Sequence, residues 1–231
     1  MELIEGHYAH YDVVSYEDLT TPLPMRTFIV SYGFTDFYIK DDKLYQKDRF
    51  IHAKQILNQH FTTSQMSDLS TSAIESKETE VKLRYTDGKW IIYRPATPTL
   101  IGIDRDPELP LPAVKDGLIF TDPDNDGKPG VTVALNISGL IKAEIYIARR
   151  EIFQYYITVY SRDFLSGYVN DLSEQIIIGA SHTFLAVPSN NTQHPDPSMN
   201  PIILRRVSKS IDTWEELQAV RDELFPPEPA F

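Results

Sequence analysis

The chain has 231 residues, with 22 Lys and Arg against 33 Asp and Glu, giving a formal charge of −11 at neutral pH. That sign argues against a nucleic-acid surface, because phosphate recognition needs clustered Lys and Arg. The lack of cysteine excludes disulfides, thiolate metal sites and cysteine nucleophiles, while 42% hydrophobic and 11% aromatic residues are enough for a packed core. No apolar run approaches the roughly 20 residues of a membrane helix, and the opening MELIEGHYAH lacks the pattern of a signal peptide.

Taken in chain order, the N-terminal part predicts strands over residues 7–15, 26–33, 36–39 and 43–49, with Gly33-Phe34 and Asp41-Asp42 as turns between them. Residues 53–60 could form two helical turns. Residues 62–76, polar and rich in Ser and Thr, read as a mobile loop. Residues 80–85 and 89–93 flank Thr86-Asp87-Gly88 and give the clearest hairpin in the chain, since Asp-Gly suits the twist of a tight turn. Residues 95–112 hold five prolines, which lack the amide donor that a central strand requires.

The second half is more regular. Residues 132–135, 141–149, 152–160 and 176–187 are rich in Val, Ile, Tyr, Phe and Thr. In IKAEIYIARR, Ala143, Ile145 and Ile147 alternate with Lys142, Glu144 and Tyr146; in EIFQYYITVY, Phe153, Tyr155, Ile157 and Val159 share a face. The break at Arg149-Arg150-Glu151 is short enough for a hairpin. Ile145, Ile147, Ile157, Val159, Ile177, Phe184 and Trp90 are expected inside, and Lys142 and Glu144 outside. Residues 213–224 form the one strong helix, capped by Asp212, with Trp214, Leu217, Val220, Arg221 and Leu224 near one stripe and Pro226-Pro227 ending it.

These elements predict a mainly β protein, an antiparallel barrel or sandwich with a C-terminal helix. The β domain spans 1–208, with possible halves 1–94 and 113–208 joined by the Pro-rich 95–112, and the helix and tail take 209–231.

The sharpest motif is TDPDNDGKPG, residues 121–130. Alternating Asp122, Asp124 and Asp126 before Gly127 could supply several oxygens to a calcium ion, which takes six to eight. Lys128 could neutralise the carboxylates when no ion is bound. The same residues suit a plain Asp/Asn/Gly turn. The loop resembles the first half of an EF-hand loop and the DxDxDG loops of dockerins and bacterial adhesin repeats. It lacks the closing Glu, since Val133 stands there, so further ligands such as Asp116 or Glu144 would be needed.

A longer resemblance, carried by DNDGKPGVTV, EIYIARR, IIIGASHTFLAV and HPDPSMNPIILRRV over residues 121–207, is to uncharacterised bacterial cell-envelope proteins, often lipoproteins. It implies an extracytoplasmic place (periplasmic or outer-membrane-attached), with an export signal already removed and any membrane anchoring through that signal. Gly6-His7-Tyr8, with Arg205 or Arg206 near the last strand, resembles the Gly-x-aromatic and Arg pair of lipocalin-like barrels, although that family's aromatic is Trp.

Other chemistry is thin. LIGIDRDPE imitates the start of haloacid dehalogenase-type phosphatases and FTDPDNDG the aspartate cluster of nucleoside hydrolases, but both belong to alternating α/β chains. His10 and Asp12 would share a strand face, whereas His7 and His10 would not. No GxSxG, HExxH or Walker pattern occurs, and no catalytic residue is assigned.

Three functions therefore stay open. The first is a non-enzymatic envelope protein that binds a small apolar or amphipathic ligand in a barrel. The second is a calcium-stabilised structural or adhesive module. The third is a metal-dependent hydrolase using Asp104, Asp106 and the 122–126 cluster.

Overall fold

The structure, a computed structural model, describes residues 3–20, 24–59, 61–112, 115–186 and 190–231. The chain is mainly β, antiparallel throughout, with one C-terminal helix. Strands β1 (Gly6–Asp18), β2 (Met25–Lys40) and β3 (Lys43–Leu57) form a meander. Then come β4 (Thr62–Met66), the short helix α1 (Asp68–Ser72), β5 (Glu78–Glu80) and β6 (Lys82–Thr86). Strand β7 (Lys89–Ile101) leads into an excursion that holds the small ladder of β8 (Ile103–Asp104) and β9 (Ile119–Phe120), and β10 (Val131–Ile137) follows. Next are the long β11 (Ile141–Val159), then β12 (Phe164–Asp171) and β13 (Glu174–Ala180). Strands β14 (Thr192–Gln193) and β15 (Pro201–Arg206) precede helix α2 (Trp214–Leu224).

The ladder closes on itself. Its order is β10-β4-β3-β2-β1-β15-β12-β11, and β10 also pairs with β11. Several of the fifteen strands share a position. Along β11, β10 pairs with residues 141–147 and β7 with residues 149–159 on the same side, while β13 and β12 follow one another on the other side. Likewise β4 and β5 meet different parts of β3, and β6 pairs with β7 in an antiparallel hairpin. The result is a ring of eight antiparallel positions in chain order, an up-and-down barrel, while β6 pairs on one side only, with β7.

Alternation sorts the side chains. On β1, Tyr8 and Val14 face the cluster built with Phe37, Leu44, Ile92, Tyr155, Ile157 and Leu204, all from the inner face. Ala9, Tyr11 and Val13 face outward with Val30, Tyr32 and Phe34, where α2 and Phe225 cover them. Leu217 is fully buried in that contact, a side chain contributing about 1.5–3 kcal/mol. The α2 cap is Thr213, one residue after the expected Asp212: its hydroxyl accepts from the Glu216 amide, and Glu216 reaches back to the Thr213 amide at 3.0 Å.

Several expectations need correcting. No hairpin divides 141–149 from 152–160, because β11 runs unbroken through Arg149-Arg150-Glu151. Arg149 and Glu151 point into the barrel and pair with each other there, so a charged triplet that reads as a turn is strand interior. Residues 53–57 belong to β3 and not to a helix, since Ala53 and Gln55 line the interior while β2 supplies the ladder; His60 lies outside the described residues. Residues 62–76 are β4 and α1 in place of a loop. Residues 26–33 and 36–39 merge into β2, with a bulge opposite Tyr32 and Gly33.

Pro95 and Pro98 do lie in a strand. The ladder to β6 ends at Tyr93 and the register on β11 slips between Phe153 and Tyr155, so neither proline amide interrupts regular pairing. Ile147 and Ile157 are buried as expected, and Ile145, Val159 and Ile177 pack partly buried. Trp90 is exposed, beside Tyr85 at the tip of the β6–β7 hairpin. Lys142 is exposed, and Glu144 is half-buried because it carries Lys128 and Tyr146. The Phe184 side chain and Val187 lie outside the described residues.

On the outer face His7 ties α2's approach to the barrel. Its Nδ1 lies 2.8 Å from Asp36, and its Nε2 donates to the Ile211 carbonyl at 3.1 Å. The Asp36 carboxylate raises the His7 pKa above 6.5, against the opposing effect of burial. A raised folded-state value means stability that is complete below pH 6.5 and lost as pH climbs through the folded value. The melting temperature of the native chain minus that of His7→Gln should therefore shrink from pH 5.5 to pH 8.5, and a constant difference would refute the linkage.

Candidate functional site

Inside the barrel two charged groups of residues occupy different levels. In the first, His10 sits with Nε2 2.8 Å from Asp12 and Nδ1 2.8 Å from the Thr35 hydroxyl, which donates to Asp48 at 2.7 Å. Arg94 Nε lies 3.1 Å from Asp48, and Arg94 Nη1 donates to the Phe153 carbonyl at 2.6 Å. The Gln46 amide also donates to Asp48, at 2.9 Å. His10, Asp12, Asp48 and Arg94 are all buried. His10 and Asp12 share a strand face as expected, and their contact lies in the core. These four side chains tie β1, β3 and β7 together and do not border the cavity described next.

The second group borders a cavity of about 50 Å³ between β1, β2, β3 and β11, bounded also by Met66 and by Thr71 and Ile74 at α1. Most of its wall is carbon, from Val14, Ile29, Phe50, Ala53, Ile147 and Phe153. Arg149, Glu151, Tyr16 and Asp171 add charge to that wall. Arg149 and Glu151 meet two on two, Nε to Oε1 at 2.7 Å and Nη2 to Oε2 at 3.2 Å. Tyr16 donates to Asp171, which also accepts from the Ser173 amide at 2.7 Å. Burial raises the Glu151 pKa, and the Arg149 charge only partly offsets it. Burial and the neighbouring Asp171 push the Tyr16 hydroxyl up in the same way.

The sequence reading missed this set. The signal was in the period of two: carrying the inward face of Val159, Ile157, Tyr155 and Phe153 back by two and by four residues reaches Glu151 and Arg149. Locally, the charged triplet has the composition of a turn.

The Asp loop lies in the excursion between β7 and β10. That excursion leaves and rejoins the barrel at one point. A Cβ on Gly130 (φ +81°) would stand 2.4 Å from the Ile147 carbonyl, and one on Gly102 would stand 3.0 Å from the Gly130 Cα, so only glycines let the two backbones meet there. Asp122, Asp124 and Asp126 each offer an oxygen, and these three lie within 4.8 Å of one another.

The loop's own groups already use most of these oxygens. Asp122 accepts from the Asp126 and Gly127 amides, and Asp126 from the Lys128 amide and the Thr132 hydroxyl. Asp124 Oδ2 accepts from the Thr132 amide and the Ser70 hydroxyl. Asp124 Oδ1 is buried without a hydrogen-bond partner. The Lys128 ammonium bridges Asp126 at 3.5 Å and Glu144 at 2.6 Å. The Thr132 hydroxyl, aided by Lys128, holds the Asp126 carboxyl below its ordinary range. Among the described residues Asp104 and Asp106 do not join the three carboxylates that lie within 4.8 Å of one another.

Where β1 begins beside the end of β15, Arg206 lies over the Tyr8 ring, 4.7 Å from guanidinium carbon to ring centre, and donates to the Tyr8 hydroxyl at 2.6 Å. A Cβ on Gly6 (φ +154°) would stand 1.9 Å from Arg206 Nη1. Arg205 faces outward over Phe164 instead.

No protein-family model, curated protein or solved structure matches the chain. No helix among the described residues is long and apolar enough to cross a membrane.

Proposed function

We propose that this chain is a non-enzymatic binding protein of the bacterial envelope that holds a small apolar or amphipathic ligand inside a lipocalin-like barrel. The observation that carries the reading is the carbon-lined cavity inside the closed ladder, since a barrel of about eight strands can enclose one small ligand. The Gly6, Tyr8 and Arg206 contact supports the lipocalin-like part, and the resemblance over residues 121–207 supports the envelope. The size of the cavity limits the guest. At about 50 Å³ it holds a few small-molecule atoms or waters, far less than a typical drug-sized pocket.

Filling the cavity tests the reading. Ala53 borders it, so Ala53→Leu should remove ligand binding, measured by ligand-observed NMR, while the melting temperature moves little because the added carbons occupy existing space. Unchanged binding in a folded Ala53→Leu protein would place the ligand elsewhere.

The second reading, a calcium-stabilised module, is supported by the converging carboxylates and by the unpartnered Asp124 Oδ1. Asp122, Asp124 and Asp126 would supply part of a calcium shell, and Lys128 would have to swing away from Asp126. Binding to the folded state alone stabilises by about 2.7 kcal/mol at a hundredfold excess over Kd. That corresponds to a rise of about 5–11 °C in melting temperature for a chain of this size. The rise should vanish in Asp124→Ala. Equal melting in millimolar calcium and in chelator would make the loop an ordinary turn.

A further inference from the structure

We infer that the barrel cavity selects a small organic cation, a short primary amine in its ammonium form, seated between the Asp171 carboxylate and the aromatic wall. This inference rests on the ligand-binding reading above and adds the chemical class of the guest.

The charge count of the cavity decides the class. Arg149 faces Glu151 through two contacts and donates to Gln175 at 3.3 Å, so the Glu151 carboxylate offsets its single positive charge. Asp171 then remains as one net negative charge at the cavity. It is held by the Tyr16 hydroxyl and the Ser173 amide, and among the described residues no Lys, Arg or His forms an ion pair with it. A carboxylate guest would face two carboxylates in a poorly hydrated space, where like charges repel strongly. A neutral guest would leave the Asp171 charge uncompensated.

An ammonium guest neutralises that charge beside the aromatic residues Phe50, Phe153 and Tyr16, which border the same space and whose rings attract cations. Its short apolar tail would lie against Ile147, Val14 and Ile29, also in the wall. The volume of about 50 Å³ restricts that tail to a few carbons.

The test is a titration of the full chain with n-propylammonium, n-propanol and propanoate, followed by NMR chemical shifts. The expected result is that the ammonium binds at least about tenfold more tightly than the alcohol, equivalent to about 1.4 kcal/mol, with propanoate weakest. Asp171→Asn should bring the ammonium down to the level of the alcohol. Tyr16→Phe keeps the charge and frees a carboxylate oxygen, so it should retain the preference; it also serves as the readout if Asp171→Asn does not fold. If propanol or propanoate binds as well as or better than the ammonium, the class is overturned while the cavity remains a binding site. If none of the three binds, the ligand-binding reading itself falls, and this inference with it.

Discussion

Replacing Arg94 with methionine should destabilise the barrel by about 3–5 kcal/mol, the effect of leaving a buried charge without its partner. Arg94 joins β7 to β3 through Asp48 and to β11 through the Phe153 carbonyl, and its guanidinium lies 4.9 Å from the centre of the Tyr155 ring. Asp48 would keep Thr35 and Gln46 as donors but lose its guanidinium. The His10 ring, with Nδ1 3.8 Å away, is already engaged by Asp12 and Thr35. A midpoint shift of about 6–20 °C follows for a protein of this length. Adding Asp48→Asn to the Arg94→Met chain should recover part of the loss by removing the stranded charge. Thermal unfolding of the two variants against the native chain checks this, and an Arg94→Met midpoint within about 2 °C of native, well under the shift expected for 3 kcal/mol, would mean the network contributes little.

The sequence displayed the fold wherever alternation was uninterrupted. The face shared by Phe153, Tyr155, Ile157 and Val159 is the inward face of β11, and the Asp87-Gly88 turn closes the β6–β7 hairpin with both residues at positive φ. Errors arose where a barrel interior overrides local chemistry. Arg149 and Glu151 look like turn residues because charge is normally costly inside, and only a partner two positions away on the same face makes it tolerable. Residues 53–57 look helical because Ala and Gln favour helices, yet β2 supplies the ladder that decides their state. Barrel closure was beyond reach of a local pattern: β10 with β4, and β15 with β1, are pairings set by geometry across the chain.

The candidate sites divide along the same line. The Asp loop could be read because its ligands are neighbours in sequence. The cavity could not, because Tyr16, Ala53, Arg149 and Asp171 come from four strands. The Tyr8 and Arg206 contact lies between these cases: Gly6-His7-Tyr8 and the Arg205-Arg206 pair stand out in the sequence, but only the fold brings the two side chains together.

Arg149→Met should give the other large effect, about 3–5 kcal/mol near neutral pH, and with a pH signature that simple loss of packing lacks. The substitution leaves Glu151, only 5% exposed, in the same cavity as Asp171 with no cation beside it. In the native chain burial already holds the Glu151 pKa above its ordinary value despite Arg149, and without Arg149 it must rise further. A carboxyl whose folded value exceeds its unfolded value binds its proton more tightly when folded. The chain therefore gains stability as pH falls through the folded value towards about 4.5 and loses it again on the alkaline side. The difference in melting temperature between native and Arg149→Met proteins should accordingly be largest at pH 7–8 and narrow steadily towards pH 5. In Arg149→Met with Glu151→Gln, which lacks the titrating carboxyl, that narrowing towards pH 5 should be lost. Thermal melts at half-unit steps would decide it: a difference that stays flat for the single variant would show that the two side chains contribute packing alone and that the cavity wall carries no uncompensated charge when Arg149 is removed.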